Sequence, residues 1–311
     1  MTGIDPSRLC ILITVYHPYR WCARFVMAAL DMFWPSHPPV FFCGLTEEEA
    51  GGLPIMPLRS SLFPRVWAEF AFDAVSELRV RGFEAVYFML EDHMPLDHCN
   101  EKSLNEILPD MLNRLPASYI GLMGWDNRRF ATCAGPILGP EQWCFRYLTA
   151  ETAPRFHLHP SLFRAEVLHA GLDAVRRTAK PNPWGFEKLL DKRDAPLASE
   201  YKESCYQIRG SVLAQQPAGF ANRCLAACER FFFHRLMSLA PAAAKAGFGK
   251  QFWEMAGFDN FFYNGPFPMF FSGVMAGGKI NPFFVRYLED HPDHVCCGLI
   301  EAARENAPPR K

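Results

Sequence analysis

The chain has 311 residues, half of them hydrophobic, and a formal net charge of −1. That length allows a large buried core, as one big domain or as a domain with a smaller lobe. Near-neutral charge argues against a nucleic-acid binder that works by broad phosphate neutralisation. The 11 cysteines are odd in number and scattered without a C-x-x-C pair. The opening residues MTGIDPSR lack the charged start and apolar stretch of a signal peptide. A reduced, cytoplasmic compartment with cysteines as small core residues is therefore expected.

No stretch reads as a transmembrane helix. The longest uncharged segment, Asn260 to Gly278, is interrupted by Asn264, Pro266, Pro268 and several glycines. It is compatible with peripheral contact at the inner face of a membrane and incompatible with spanning one.

In chain order, the apolar run Leu9 to Val15 predicts a strand covered on both faces. Trp21, Phe25, Ala28, Ala29 and Met32 recur at helical spacing, and Pro35 stops that helix. Val40 to Leu45 predicts a second strand. A second helix runs from about Pro64 to Arg81, with Gly82 placed as its C-terminal cap. Val86 to Leu90 is a third strand, ending abruptly in Glu91-Asp92-His93. Ser103 and Glu106 have capping-box spacing for a further helix, which Pro109 should kink or end early.

Tyr119 to Met123 predicts a strand, followed by irregular chain to about Pro154. Arg155 to His159 is read as a strand, Ser161 to Leu172 as a helix and Tyr206 to Leu213 as the last strand. This alternation indicates an α/β domain with a mostly parallel sheet flanked by helices over residues 1–217. Beyond about Pro217, Leu225, Cys228, Phe232, Leu236 and Leu239 share a helix face. Phe, Gly and Pro then dominate to Pro282. Residues 218–311 are expected to form a helical, aromatic-rich C-terminal lobe.

Several motifs are missing: G-x-G-x-x-G, the P-loop, G-x-S-x-G and H-E-x-x-H. Two features remain that could do chemistry. Ligands of open α/β sheets sit beyond the carboxyl ends of the strands, where Glu91 and Asp92 could hold a divalent cation against phosphates. The second feature is Asn182-Pro183-Trp184-Gly185-Phe186-Glu187, one carboxylate in an aromatic, turn-rich setting. Low polarity there would raise its pKa toward that of a general base. The competing reading makes Trp184 and Phe186 core anchors and Glu187 an acid favoured by a helix N-terminus. His157 and His159, two apart, could bind metal, although no third ligand stands near them in sequence. Trp125 to Arg129 could line an acceptor side. Glu289-Asp290-His291 repeats the earlier triplet but reads as a polar turn.

Three stretches together resemble the nucleotide-sugar-dependent glycosyltransferases of GT-A fold, in the glycosyltransferase-two-like group of bacterial polysaccharide and lipopolysaccharide assembly. They are Ile11 to Tyr16, Tyr87 to His93, and Pro160 to Glu166 with the later Asn182 to Glu187. The resemblance implies a GT-A-like, Rossmann-like domain of hexosyltransferase type. It implies a nucleoside diphosphate sugar as donor, with its base and ribose near Thr14, Val15 and Tyr16 and with Arg59 at the diphosphate or nucleobase. The family's metal motif is D-x-D or a variant, and here Glu91-Asp92-His93 stands in its place. Those three residues are then the expected ligands of Mn²⁺ or Mg²⁺. Glu187 is the expected base for an inverting transfer to a glycan or lipid-linked hydroxyl. A nucleotidyltransferase, or a non-catalytic glycosyltransferase-like binding or scaffold subunit, stands as the alternative.

Overall fold

The structure is a computed structural model and describes residues 4–56, 66–114, 117–122, 137–138, 143–147, 156–190, 205–209, 262–263, 266–270, 273–276 and 279–306. Arg59, the 125–129 segment, the 225–239 helix expectation and the proposed boundary near 217 lie outside these residues.

Strand β1 (Leu9–Thr14) is buried along its whole length. Side chains alternate faces along a strand, and both faces of β1 are covered. Leu9, Ile11 and Ile13 enter one apolar cluster, while Cys10 and Leu12 enter another. After a 3-10 segment, helix α1 (Ala23–Phe33) covers the first face through Phe25, Val26, Ala29, Leu30 and Phe33. Met32, expected on that stripe, is exposed. Strand β2 (Val40–Cys43) follows, then the short helix α2 (Glu47–Ala50) and helix α3 (Trp67–Val80). Gly82 has a φ of +90° just past α3, as its capping role requires.

Strand β3 (Ala85–Leu90) divides its side chains as β1 does: Tyr87 and Met89 to the first cluster, Val86 and Phe88 to the second. The next helix is not capped by Ser103. Asn100 Oδ1 accepts from the Ser103 amide, and a π-helical turn (Ser103–Ile107) leads into α4 (Leu108–Arg114). That wide turn lies directly ahead of Pro109, and the helix continues through the proline. Strand β4 (Tyr119–Gly121) is followed by the antiparallel pair β5 (Ile137–Leu138) and β6 (Trp143–Tyr147), where irregular chain was expected.

Residues 156–160 form bends rather than the expected strand. The strand is instead β7 (Ser161–Arg164), and helix α5 (Ala165–Arg176) starts only after it. Helix α6 (Pro183–Glu187) and strand β8 (Cys205–Arg209) follow. The described strands form one sheet in the order β2-β1-β3-β7-β4-β8-β6-β5. Strands β2, β1, β3, β4 and β8 share one direction, and β7 lies antiparallel between β3 and β4. The α/β expectation therefore holds with an inverted strand at its centre.

Helices α3, α5 and α6 cover the second face. Its heart is Phe186, fully buried, with ring centroids 5.4 Å from Phe156 and 6.0 Å from Trp67, Phe88 and Phe163. Phe186→Ala should cost about 3–5 kcal/mol, read as a lower midpoint in urea unfolding. A midpoint within about 1 kcal/mol of wild type would contradict this packing.

The described C-terminal residues belong to the first face. Phe267, Met269, Val274, Phe284, Tyr287 and Leu299 lie in the same cluster as Ile11, Ile13 and Leu30. They complete the sheet's own core. Cys10, Cys22, Cys43, Cys99 and Cys296 are buried free thiols, as expected of small core residues. No helix among the described residues is long and apolar enough to cross a membrane.

Candidate active site

Strands β1 and β3 end side by side, with Thr14 paired to Leu90. Val15-Tyr16 and Glu91-Asp92 therefore emerge together at the carboxyl end of the sheet. The three β1 residues expected near a nucleotide differ sharply. Thr14 is fully buried, and its hydroxyl accepts from the Trp67 indole N–H at 3.2 Å. Val15 is also buried, and its amide donates to Cys43 O at 2.9 Å. Tyr16 is exposed, with its ring edge-on to Tyr19 at 5.4 Å. Only Tyr16 of the three presents a side chain to solvent.

The acid couplet also divides. Glu91 turns inward and is almost fully buried, with the backbone amides of Tyr16 and of its own position lowering its pKa slightly. Burial first, and the neighbouring Asp92 carboxylate second, hold its carboxyl well above the ordinary carboxylate range. Among the described residues no group of three or more His, Cys, Asp and Glu is placed to hold a metal ion. The expected three-ligand set of Glu91, Asp92 and His93 does not form such a group, because Glu91 is buried beneath the other two.

Asp92 Oδ1 and His93 Nδ1 lie 2.8 Å apart but are misaligned for a hydrogen bond, so neither buried atom has a hydrogen-bond partner. Two orphaned donors at that spacing suit a shared cation, with the remaining ligands coming from substrate oxygens and water. A third element holds Asp92 in place. The Val274 amide donates to Asp92 O at 2.8 Å, and Asn281 Nδ2 donates to Gly273 O at 3.0 Å. Gly273 has a φ of +68°, and a Cβ there would come within 2.9 Å of Asp92 Oδ2 and Asp92 O. Sequence reasoning missed Gly273, Val274 and Asn281, and no short motif marks them.

Glu187 lies near enough to His93 to feel its charge. Its Oε1 accepts from the Leu158 amide at 3.1 Å. Burial pushes the Glu187 carboxyl up, while that amide and the nearby His93 charge pull it down. The His93 ring stands edge-on to His159 at 5.0 Å, and His159 lies 6.1 Å from His157. Asp92, His93, His159, His157 and Glu187 therefore line one region, joined by His93. Of the two core anchors weighed for this segment, Phe186 is buried and Trp184 is 70% exposed. Glu187 ends its short helix instead of beginning it.

His157 is buried, with Nε2 unpartnered, and burial depresses its imidazole from the ordinary 6.5 to about 4. The unfolded chain takes up this proton near pH 6.5, whereas the folded chain resists until about pH 4. Stability should therefore fall by about 3 kcal/mol as pH drops through that window. Urea unfolding at pH 7 and pH 4.5 measures it. His157→Gln should flatten the difference, and an unchanged pH slope would contradict the assignment.

No protein-family model matches the chain, and no curated protein matches it. Among solved structures it is similar to a mannose-1-phosphate geranyltransferase from Thermus thermophilus. The TM-score is 0.34 and the identity 15%, over 65% of this chain and 74% of that one. The site's own residues carry the functional reading.

Proposed function

We propose that the protein is a nucleotide-sugar-dependent glycosyltransferase of GT-A type, moving a sugar from a nucleoside diphosphate sugar to an acceptor hydroxyl. One observation supports this above the others. A strand-end acid with an orphaned oxygen and a mostly buried carboxylate of raised pKa meet around a single histidine.

In this reading the donor diphosphate lies over the ends of β1 and β3. Exposed Tyr16 offers its ring to the nucleobase, and the buried Thr14 and Val15 shape the floor. Asp92 Oδ1 and His93 Nδ1 would hold Mn²⁺ or Mg²⁺, whose charge would offset that of the departing diphosphate. Glu187 Oε1 is fixed by the Leu158 amide, which leaves Oε2 to take a proton. It accepts the acceptor's hydroxyl proton as that oxygen attacks the anomeric carbon. The bond from that carbon to the diphosphate breaks, and its electron pair leaves with the diphosphate. A single displacement of this kind inverts the anomeric centre.

A nucleotidyltransferase would carry a glycine-rich phosphate loop after the first strand. The residues here are Thr14 to Tyr19 without a glycine, and His17–Cys22 is a 3-10 segment. The scaffold alternative gains from the inward turn of Glu91, which leaves two candidate metal ligands. Calorimetry with nucleoside diphosphates separates the cases. Binding that strengthens when Mn²⁺ is added supports the transferase, and no binding in either condition favours the scaffold.

A further inference from the structure

Within the Asn182-to-Glu187 segment, Trp184 neither takes part in the transfer reaction above nor packs into the core. It is 70% exposed, so folding leaves most of its aromatic face in contact with water. The segment that carries it is rigidly built. Asn182 Oδ1 accepts from the Gly185 amide at 2.9 Å, and Pro183 opens the helix. Gly185 packs so closely that a Cβ would sit 2.1 Å from Lys180 O. Phe186 anchors the turn in the aromatic core. The indole is thus held out to solvent on a fixed support, three residues before Glu187. Residues three apart on a helix are neighbours, with Cβ atoms about 5–6 Å apart.

We propose that Trp184 is a stacking platform for a carbohydrate acceptor, presenting a sugar hydroxyl to Glu187. The proposal rests on Glu187 being the base of sugar transfer. The face of an indole carries negative quadrupole density, which attracts the weakly positive axial C–H groups of a pyranose ring. A lone exposed ring with Lys180, Asn182 and Lys188 within four positions of it in sequence suits such a ligand. A lipid or protein partner would need a broader apolar patch. The other exposed large apolar side chains among the described residues are Tyr16, Met32, Val66 and Val80, scattered over different elements.

Saturation-transfer NMR on the full chain tests this, with the methyl glycosides of glucose, galactose, mannose and N-acetylglucosamine as probes. Nucleoside diphosphate binding with Mn²⁺ is measured in parallel. The wild type should bind at least one glycoside. Trp184→Ala should weaken that binding about tenfold, and Trp184→Phe should largely retain it. Nucleoside diphosphate binding should be equal in all three. Glycoside binding unchanged in Trp184→Ala, or absent from the wild type, overturns the platform. So does equal loss of both ligands in Trp184→Ala. If glycosides bind through Trp184 while no nucleoside diphosphate binds, the transferase reading fails and Trp184 is a sugar-stacking residue without an acceptor role.

Discussion

Glu187→Gln should lower the rate of sugar transfer by about 10²–10⁴-fold and leave donor binding unchanged. Glutamine keeps the carbonyl oxygen that accepts from the Leu158 amide and loses only the ability to take a proton. The effect should therefore fall on kcat and spare the donor's KM. The same residue sets a pH limb. Its carboxyl is pushed up by burial, so the active carboxylate is lost as pH falls through a value above the ordinary carboxylate range. That acid limb should be absent from the residual activity of the variant.

Stability separates this role from a structural one. A carboxyl with a raised folded pKa stabilises most below its unfolded pKa, and that contribution is lost as pH rises through the folded value. At neutral pH the variant should thus be at least as stable as wild type. Full activity in Glu187→Gln, or an unfolded variant, would contradict the assignment.

Asp92→Asn should abolish the Mn²⁺ dependence of nucleoside diphosphate binding. Partners one shell further from a metal cost about 10–100-fold in affinity when removed, and a direct ligand should cost at least as much. Asparagine is the informative choice because the carboxylate is confined on two sides. Oδ2 sits against Gly273, and Oδ1 is buried beside His93. A longer or shorter side chain would disturb the Gly273–Asn281 support together with the charge. Equal Mn²⁺-stimulated binding in wild type and Asp92→Asn would remove Asp92 from the cation site.

The parts of the fold legible in the sequence are those with a strong local period. Leu9 to Thr14 and Ala85 to Leu90 read as covered strands because both of their faces meet apolar partners. Their common end was legible too, since an apolar run that stops in two acids marks where a covered strand leaves the sheet. The division of labour within Glu91-Asp92 follows from chain geometry and not from residue type. Adjacent side chains leave a strand in opposite directions, so one acid of such a pair tends to turn inward.

Other features carry no local signal. Ser161 to Arg164 is too short a run to separate from the helix that follows it, and its antiparallel pairing depends on strands 40 to 80 positions earlier in the chain. Gly273 and Val274 meet Asp92 across some 180 residues of sequence, a contact no periodicity announces. Tryptophan is usually well buried, so the residue type of Trp184 points to the core. Only its placement on the outer side of a tightly capped turn reveals otherwise.

The bond that breaks is the most direct test of the whole account. Phosphorus-31 NMR of the wild-type chain with a panel of nucleotide sugars, an acceptor and Mn²⁺ should reveal release of the nucleoside diphosphate, slowed about 10²–10⁴-fold in Glu187→Gln. Release of sugar phosphate or pyrophosphate instead would mean that the attack falls on phosphorus, and Glu187 would not be the base of a sugar transfer.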